Sequence, residues 1–220
     1  MRPRASLILL ALILALAGVR PAACVELIGR LKYGGGGDWY ANPTSLPNLL
    51  AFARAHSALD LPERELTVEP GAPELRDFAF VHVTGHGRIS FTPDERRNLR
   101  EWMLGGGFLH VDDNYGLDEH FREEVALIFP GRELVELPFT HPIYHCLFDF
   151  PRGLPKIHEH HGGPPHGYGI VHEGRVVLFY SFNTDLGDGW ESAEVHNDPE
   201  ETRLQALRMG ANLLVYALSR

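Results

Sequence analysis

The sequence predicts an α/β fold built on a mostly parallel sheet that ends in an antiparallel hairpin. Three observations carry this. Strand-like and helix-like segments alternate from Glu26 to Leu218. Phe78–Val83 and Phe108–Val111 are apolar almost throughout, as strands covered on both faces must be. Glu173-Gly174 separates two more strand-like runs, Gly169–His172 and Arg175–Ser181, with a hairpin turn signal.

The elements follow in order. Glu26–Tyr33 reads as a strand stopped by a glycine run. Ser45–His56 reads as a helix with Leu46, Leu49, Leu50 and Phe52 as its apolar residues; Pro47 falls in its first turn, where the ring is tolerated. Leu66–Val68 is a short strand, and Phe78–Val83 a central one stopped at Thr84-Gly85-His86-Gly87. Thr92-Pro93-Asp94-Glu95 supplies an N-cap, a proline at the first helical position and a capping box, so a helix runs from there to Leu104 and ends at Gly105-Gly106-Gly107. Phe108–Val111 follows as a strand, then Leu117–Phe129 as a helix and Glu133–Leu137 as a short strand. After the hairpin, Pro199–Leu218 is a long amphipathic helix carrying Leu204, Leu207, Ala211, Leu214 and Leu218.

Residues 1–23 read as a secretory leader: Arg2 and Arg4 precede the apolar run Ala5–Val19, which is short for a membrane span. Ala15-Leu16-Ala17 offers a cleavage site, and Pro21-Ala22-Ala23-Cys24 an alternative with lipid on Cys24. The expectation is export to the periplasm or cell envelope, with membrane attachment only through the leader or that lipid. Residues 25–220 read as one domain, since no linker or repeat interrupts them. With 20 basic and 29 acidic residues and no basic stripe, nucleic acid is excluded as a partner. Cys24 and Cys146 cannot supply a disulfide framework once Cys24 is removed or lipidated, and Cys146, among apolar residues, reads as an inert buried thiol.

In an open α/β sheet, ligands bind beyond the carboxyl ends of the strands. Four loops fall at that edge: Tyr33–Tyr40, Gly85–Gly87, Asp112–Gly116 and Asn183–Trp190. Each combines glycine with acids, amides, histidine or aromatics. Glycine, Gly36 among them, lets a backbone approach a ligand closely. Trp39, Tyr40, Tyr115 and Trp190 are expected to stack on a polar, glycan-like ligand; Asp38, His86, Asp113, Asn114 and Asp185 are expected to hydrogen-bond it. The glycine run lacks a P-loop ending and is followed by Asp38, which repels phosphate, so nucleotide is not expected.

Leu154–Gly169, LPKIHEHHGGPPHGYG, raises a metal question. His158 and His160 share one side of an extended segment and could hold one divalent ion, with His141 or His145 as a third ligand. The stretch is not a helical zinc-protease motif, because Gly162 takes the place of the second histidine and Gly163-Pro164-Pro165 forbids a helix. A divalent metal is the one cofactor these residues admit.

The segments LKYGGGGDWYANPTSLPNLL, GGFLHVDDNYG, HPIYH, PKIHEHHGGPPHGYGI and FNTDLGDGWESAEVHNDPE resemble the bacterial DUF4159 family, a domain of unknown function, over nearly all of the chain past the leader. That family resembles the class I glutamine amidotransferase-like superfamily near its ThuA-like branch. The resemblance implies a flavodoxin-like three-layer α/β/α sandwich, and makes residues 25–220 a single glutamine amidotransferase-like domain. Glutaminases of that superfamily carry a nucleophilic cysteine at the strand-to-helix elbow and a late His and Glu. Here the elbow holds Asp112, Asp113 and Asn114, and His196 and Glu200 fall where the late pair belongs, so glutamine hydrolysis through a thioester is not expected. Asp112, Asp113, His86 and His196 remain the catalytic candidates.

Three functions are consistent with these residues: binding of a polar ligand at the carboxyl edge, metal-dependent hydrolysis at the His158/His160 cluster, or a non-catalytic interaction module of an envelope assembly.

Overall fold

The computed structural model describes residues 27–159 and 161–219. The leader, Cys24 and His160 lie outside the described residues.

The strands are β1 (Leu27–Leu31), β2 (Leu66–Val68), β3 (Phe78–Val83), β4 (Phe108–Asp112), β5 (Val135–Glu136), β6 (His166–His172) and β7 (Arg175–Phe182). The helices are α1 (Ser45–His56), α2 (Pro93–Leu104), α3 (Asp118–Ile128), α4 (Leu186–Trp190), α5 (Ala193–His196) and α6 (Glu200–Leu218). One seven-stranded sheet runs in the order β2-β1-β3-β4-β7-β6-β5. β2, β1, β3, β4 and β7 are mutually parallel, while β6 runs antiparallel to β7 and β5 antiparallel to β6. The parallel part has flavodoxin-like order, in which the chain reverses direction across the sheet between β1 and β3.

Alternation across the pleat builds two cores. Phe80, Phe108 and Phe179 pack with α1 and α6 on one face. Val81, Leu109, Leu178 and Tyr180 pack with α2 and α3 on the other. That explains the near-continuous apolar runs: both faces of β3 and β4 are covered, and every residue of the two strands is buried. The capping box forms as its sequence requires, with Thr92 accepting from Glu95 N–H at 3.3 Å and Glu95 accepting from Thr92 N–H at 2.7 Å.

Two readings of loops need correction. The end of the histidine-rich stretch is not loop: β6 begins at His166, three residues earlier than Gly169, because Gly167 and Gly169 let the strand lie close to Tyr144 and Leu137. Asn183–Trp190 is not a simple loop either. After a left-handed turn at Asn183 (φ 59°) and Asp185 (φ 69°) it winds into α4. Gly189 sits against Ala206, and Gly210 against Leu49 and Trp190, so close that a β-carbon would collide at either position. These glycines let α4 press Trp190 between α1, α6 and the sheet.

Candidate functional site

The carboxyl ends of β1, β3, β4 and β7 meet in a buried polar floor. Its centre is Asn114, just past β4. Its Oδ1 accepts from Thr84 Oγ1 at 2.8 Å and from Gly85 N–H at 3.2 Å, both past β3. Its Nδ2 donates to Asp185 Oδ1 at 2.8 Å, past β7. One side chain thus ties three strand ends together, and a longer contact of Nδ2 to Asp188 Oδ1 at 3.5 Å uses its second donor, as burial demands.

Asp112 and Asp113 lie below. Both are buried. Asp112 accepts from Ser181 Oγ at 2.5 Å and from Gly187 N–H at 2.6 Å, which anchors the start of α4. Burial, then the charge of Asp185, pushes the Asp112 carboxyl up to about 8. Asp113 accepts from Asn183 N–H at 3.2 Å. Both catalytic candidates are enclosed, and these contacts position the β7–α4 turn.

Behind Asp112 a buried chain leads inward. His110 Nε2 is 2.9 Å from Ser181 Oγ, and His110 Nδ1 is 3.0 Å from His82 Nδ1. Burial lowers both histidines, His110 to about 3 and His82 well below its ordinary value, so both rings are neutral. Ser181 Oγ also lies 3.2 Å from Val111 O, so it stands between Asp112, His110 and the β4 backbone. Between the two neutral rings one Nδ1 donates and the other accepts. His82 Nε2 is buried without a hydrogen-bond partner among the described residues.

Toward solvent, α4 and the histidine-rich stretch meet. Ile157 N–H donates to Thr184 O at 2.9 Å, and Asn183 Nδ2 donates to Pro164 O at 3.2 Å, so residues 155–159 and 161–164 fold over the Asn183–Asp185 turn. His158 is the product of that folding. Its Nδ1 lies 2.8 Å from Asp185 Oδ2 and 3.4 Å from Asp188 Oδ2, and its Nε2 lies 3.0 Å from Asp198 Oδ1. The carboxylates of Asp185, then Asp188, raise His158 to about 11 against the opposing effect of burial. His196 Nε2 is 3.5 Å from the same Asp188 Oδ2. Asn42 Nδ2 donates to the other Asp188 oxygen at 2.6 Å. Among the described residues, four of the five non-glycine residues with positive φ, Asn42, Asn183, Asp185 and Asn197, cluster about this site. Asn and Asp tolerate that region at modest cost, and such concentrations mark built sites.

The rim at the β1/β3 reversal is exposed. Asp38 takes the His86 backbone N–H and lies 3.1 Å from His86 Nδ1, with His86 half exposed. Gly37 N–H donates to Arg88 O at 3.0 Å, and Gly87 N–H to Tyr115 O at 3.2 Å. The three loops past β1, β3 and β4 are therefore tied side by side. Tyr40 is 65% exposed and Tyr115 66% exposed. Trp39 is half-buried and meets Tyr40 edge-on at 5.6 Å. His161 stacks near Tyr115 at 6.3 Å. Gly36, at φ 93°, has open space where a side chain would be.

Several expected site residues are corrected. Trp190 is 0% exposed; its Nε1 donates to Ala206 O at 2.8 Å and its ring lies 5.1 Å from His82, so it is core and cannot stack on a ligand. His141 and His145 do not join His158. His141 Nδ1 accepts from Ile143 N–H at 3.2 Å, and both ring nitrogens of His145 are taken, by Asp149 and by Phe139 O. Among the described residues, the group suited to a metal is His158, Asp188 and His196, whose ligand atoms lie within 4.8 Å of one another. Cys146 as a residue is exposed rather than buried, but its sulfur is turned inward: the thiol donates to Asn212 O at 3.2 Å, and desolvation there pushes it up to about 11, which keeps it protonated near neutral pH. Sequence reasoning missed Asn42, Thr84, Ser181, Asp188 and Asp198. The Asp185-x-x-Asp188 spacing, one turn apart, was the signal for Asp188; nothing local flags the others.

Fold and site define a flavodoxin-like α/β protein with a polar floor and an aromatic rim at the carboxyl edge of its sheet. The family model for the domain of unknown function DUF4159 matches residues 27–218, and the chain belongs to that family. No curated protein matches it.

Proposed function

We propose that this protein binds a polar, glycan-like ligand at the carboxyl edge of its sheet, where the chain reverses between β1 and β3. The observation that carries the reading is the rim. Two tyrosines, each about two-thirds exposed, stand on loops tied to the Asp38–His86 pair at the position where open α/β sheets take their ligands. Exposed rings offer faces for the C–H side of a sugar, while His86 and Asp38 offer polar edges for its hydroxyls. The buried floor holds these loops in place and does not itself touch the ligand.

The likeness to glutamine amidotransferase-like proteins of the ThuA-like branch belongs to this proposal as fold analogy. So does export to the periplasm or envelope, for which the support is the Arg2/Arg4 and Ala5–Val19 pattern. With Asp112 to Asn114 at the elbow and Cys146 protonated elsewhere, the described residues place no cysteine at the glutaminase elbow.

A glycan array probed with the purified protein tests the reading. Retention of a defined glycan set, with Tyr40→Ala and Tyr115→Ala each weakening it about tenfold or more, is the expected result. An array without retained glycans, or retention indifferent to both substitutions, overturns it in favour of a non-catalytic interaction surface.

A further inference from the structure

We infer that His158, Asp188 and His196 form a binding site for a divalent first-row transition metal of the zinc class. The inference stands apart from the glycan reading, since it concerns other residues and needs no organic ligand.

The first argument is geometric. Asp188 Oδ2 lies 3.4 Å from His158 Nδ1 and 3.5 Å from His196 Nε2. Those separations are long for hydrogen bonds. These two edges match those of a tetrahedron whose ligands sit about 2.1 Å from a central ion, about 3.4 Å, while the two imidazoles lie within 4.8 Å of each other. A single carboxylate oxygen faces two imidazole nitrogens at that spacing.

The second argument is independent of the first and concerns what stands behind the ligands. A metal-binding histidine presents one nitrogen to the ion and donates its other N–H to a carboxylate. His158 Nε2 lies 3.0 and 3.1 Å from the two oxygens of Asp198, which leaves Nδ1 for the ion. A ligating carboxylate is oriented by a donor on its other oxygen, and Asn42 Nδ2 holds Asp188 Oδ1 at 2.6 Å. Asn42 adopts φ 56° where it makes this contact. Asp185 Oδ2, 2.8 Å from His158 Nδ1, is near enough to become a fourth ligand once the ion displaces the proton between them.

The donor set selects the ion class. Two imidazoles with one or two carboxylates suit zinc, manganese, iron(II), cobalt or nickel; calcium and magnesium prefer all-oxygen shells. His196 stands on the short α5 and is exposed, so ions and water can reach the site. A cleft at the opposite edge of the sheet, lined by Arg76, Asp77, Phe78, Glu101 and Trp102, holds one exposed ion pair and no imidazole.

The test uses untagged protein, stripped with chelator and then offered zinc, manganese or nickel chloride alone. Elemental analysis should find stoichiometric metal, and titration calorimetry should find tenfold or weaker binding in His196→Ala and Asp188→Asn. Asp198→Asn, behind the ligand, should weaken binding about 10- to 100-fold. His196 is exposed, so its alanine variant keeps the fold and remains informative if Asp188→Asn does not. Absence of stoichiometric metal in the wild type, or wild-type affinity in a folded His196→Ala variant, overturns the inference. Glycan retention measured on the same His196→Ala protein separates the two readings, because the tyrosine rim is unchanged in it.

Discussion

Asn114→Asp is nearly isosteric and changes one thing: the Nδ2 donor facing Asp185 becomes an oxygen. The acceptor side, toward Thr84 and Gly85, is preserved. The new carboxyl would sit 2.8 Å from Asp185 Oδ1, in a position where both residues are buried. At about 3 Å and an effective dielectric of about 20, two ionised carboxylates repel by roughly 5.5 kcal/mol. Protonating the new group instead costs about 1.4 kcal/mol per pH unit above its ordinary value near 4, so about 4 kcal/mol at pH 7. Protonation is the cheaper outcome, and the resulting O–H can donate to Asp185 as the amide did. The folded variant then holds one proton more than its unfolded chain, and its penalty grows as pH rises from about 4 toward the raised folded value. The expected loss of stability is about 4 kcal/mol at pH 7 and about 1.5 kcal/mol at pH 5. The larger figure approaches the whole stability of a marginal domain. Urea unfolding followed by tryptophan fluorescence at both pH values measures this. Equal losses at the two pH values, or a loss below about 1 kcal/mol at pH 7, would refute the claim that Asn114 is the buried donor joining β4 to the β7–α4 turn.

Three further outcomes are expected. Asp112 has a carboxyl raised from 3.8 to about 8, so the folded state holds its proton longer than the unfolded chain, and this group's contribution to stability declines as pH rises through that window. The wild-type minus Asp112→Asn difference in unfolding free energy, measured from pH 4 to pH 9, should carry that slope; a flat difference counts against the buried, raised carboxyl. Tyr40→Ala and Tyr115→Ala should each change stability by less than about 0.5 kcal/mol, since both rings face solvent; losses beyond about 1.5 kcal/mol would show the rings to be structural. Trp190→Phe should cost about 2 kcal/mol or more through lost volume and the lost bond to Ala206, while leaving glycan binding intact once refolded; weakened binding in a folded variant would return Trp190 to the ligand site.

Much of the fold was legible because its signals are local. The Thr92–Glu95 capping box forms between residues three apart, so the start of α2 can be read directly. Phe78–Val83 is apolar at successive positions because both faces of β3 are covered, and that run is visible without knowing what covers it. Asn183–Trp190 was harder. Its Asn, Asp and Gly residues are those of a turn, and they do make one, at Asn183 and Asp185. Yet five residues of it wind into α4, because Asp112 holds Gly187 N–H and glycines at 189 and 210 admit Trp190 to the core. Those partners lie far away in the chain, and no local pattern announces them.

The site divides in the same way. The sequence by itself determined that polar, glycine-bearing loops gather at one edge of a parallel sheet, because strand direction follows from the order of elements and each loop's composition is local. It also determined that the histidine-rich stretch cannot be a zinc-protease helix, because its glycines and prolines forbid one. Only the tertiary structure decided which loop residues are rim and which are interior. Tyr115 and Trp190 are both aromatics of carboxyl-edge loops, yet one is exposed and the other lies between two helices and His82. Only the tertiary structure gave His158 its partners: Asp185 and Asp188 from one segment and Asp198 from another, instead of His141 or His145. The physical reason is range. Backbone preference and apolar periodicity act over a few residues, whereas a charged side chain's neighbours are set by how distant segments pack, and for His158 they stand 27 to 40 residues away.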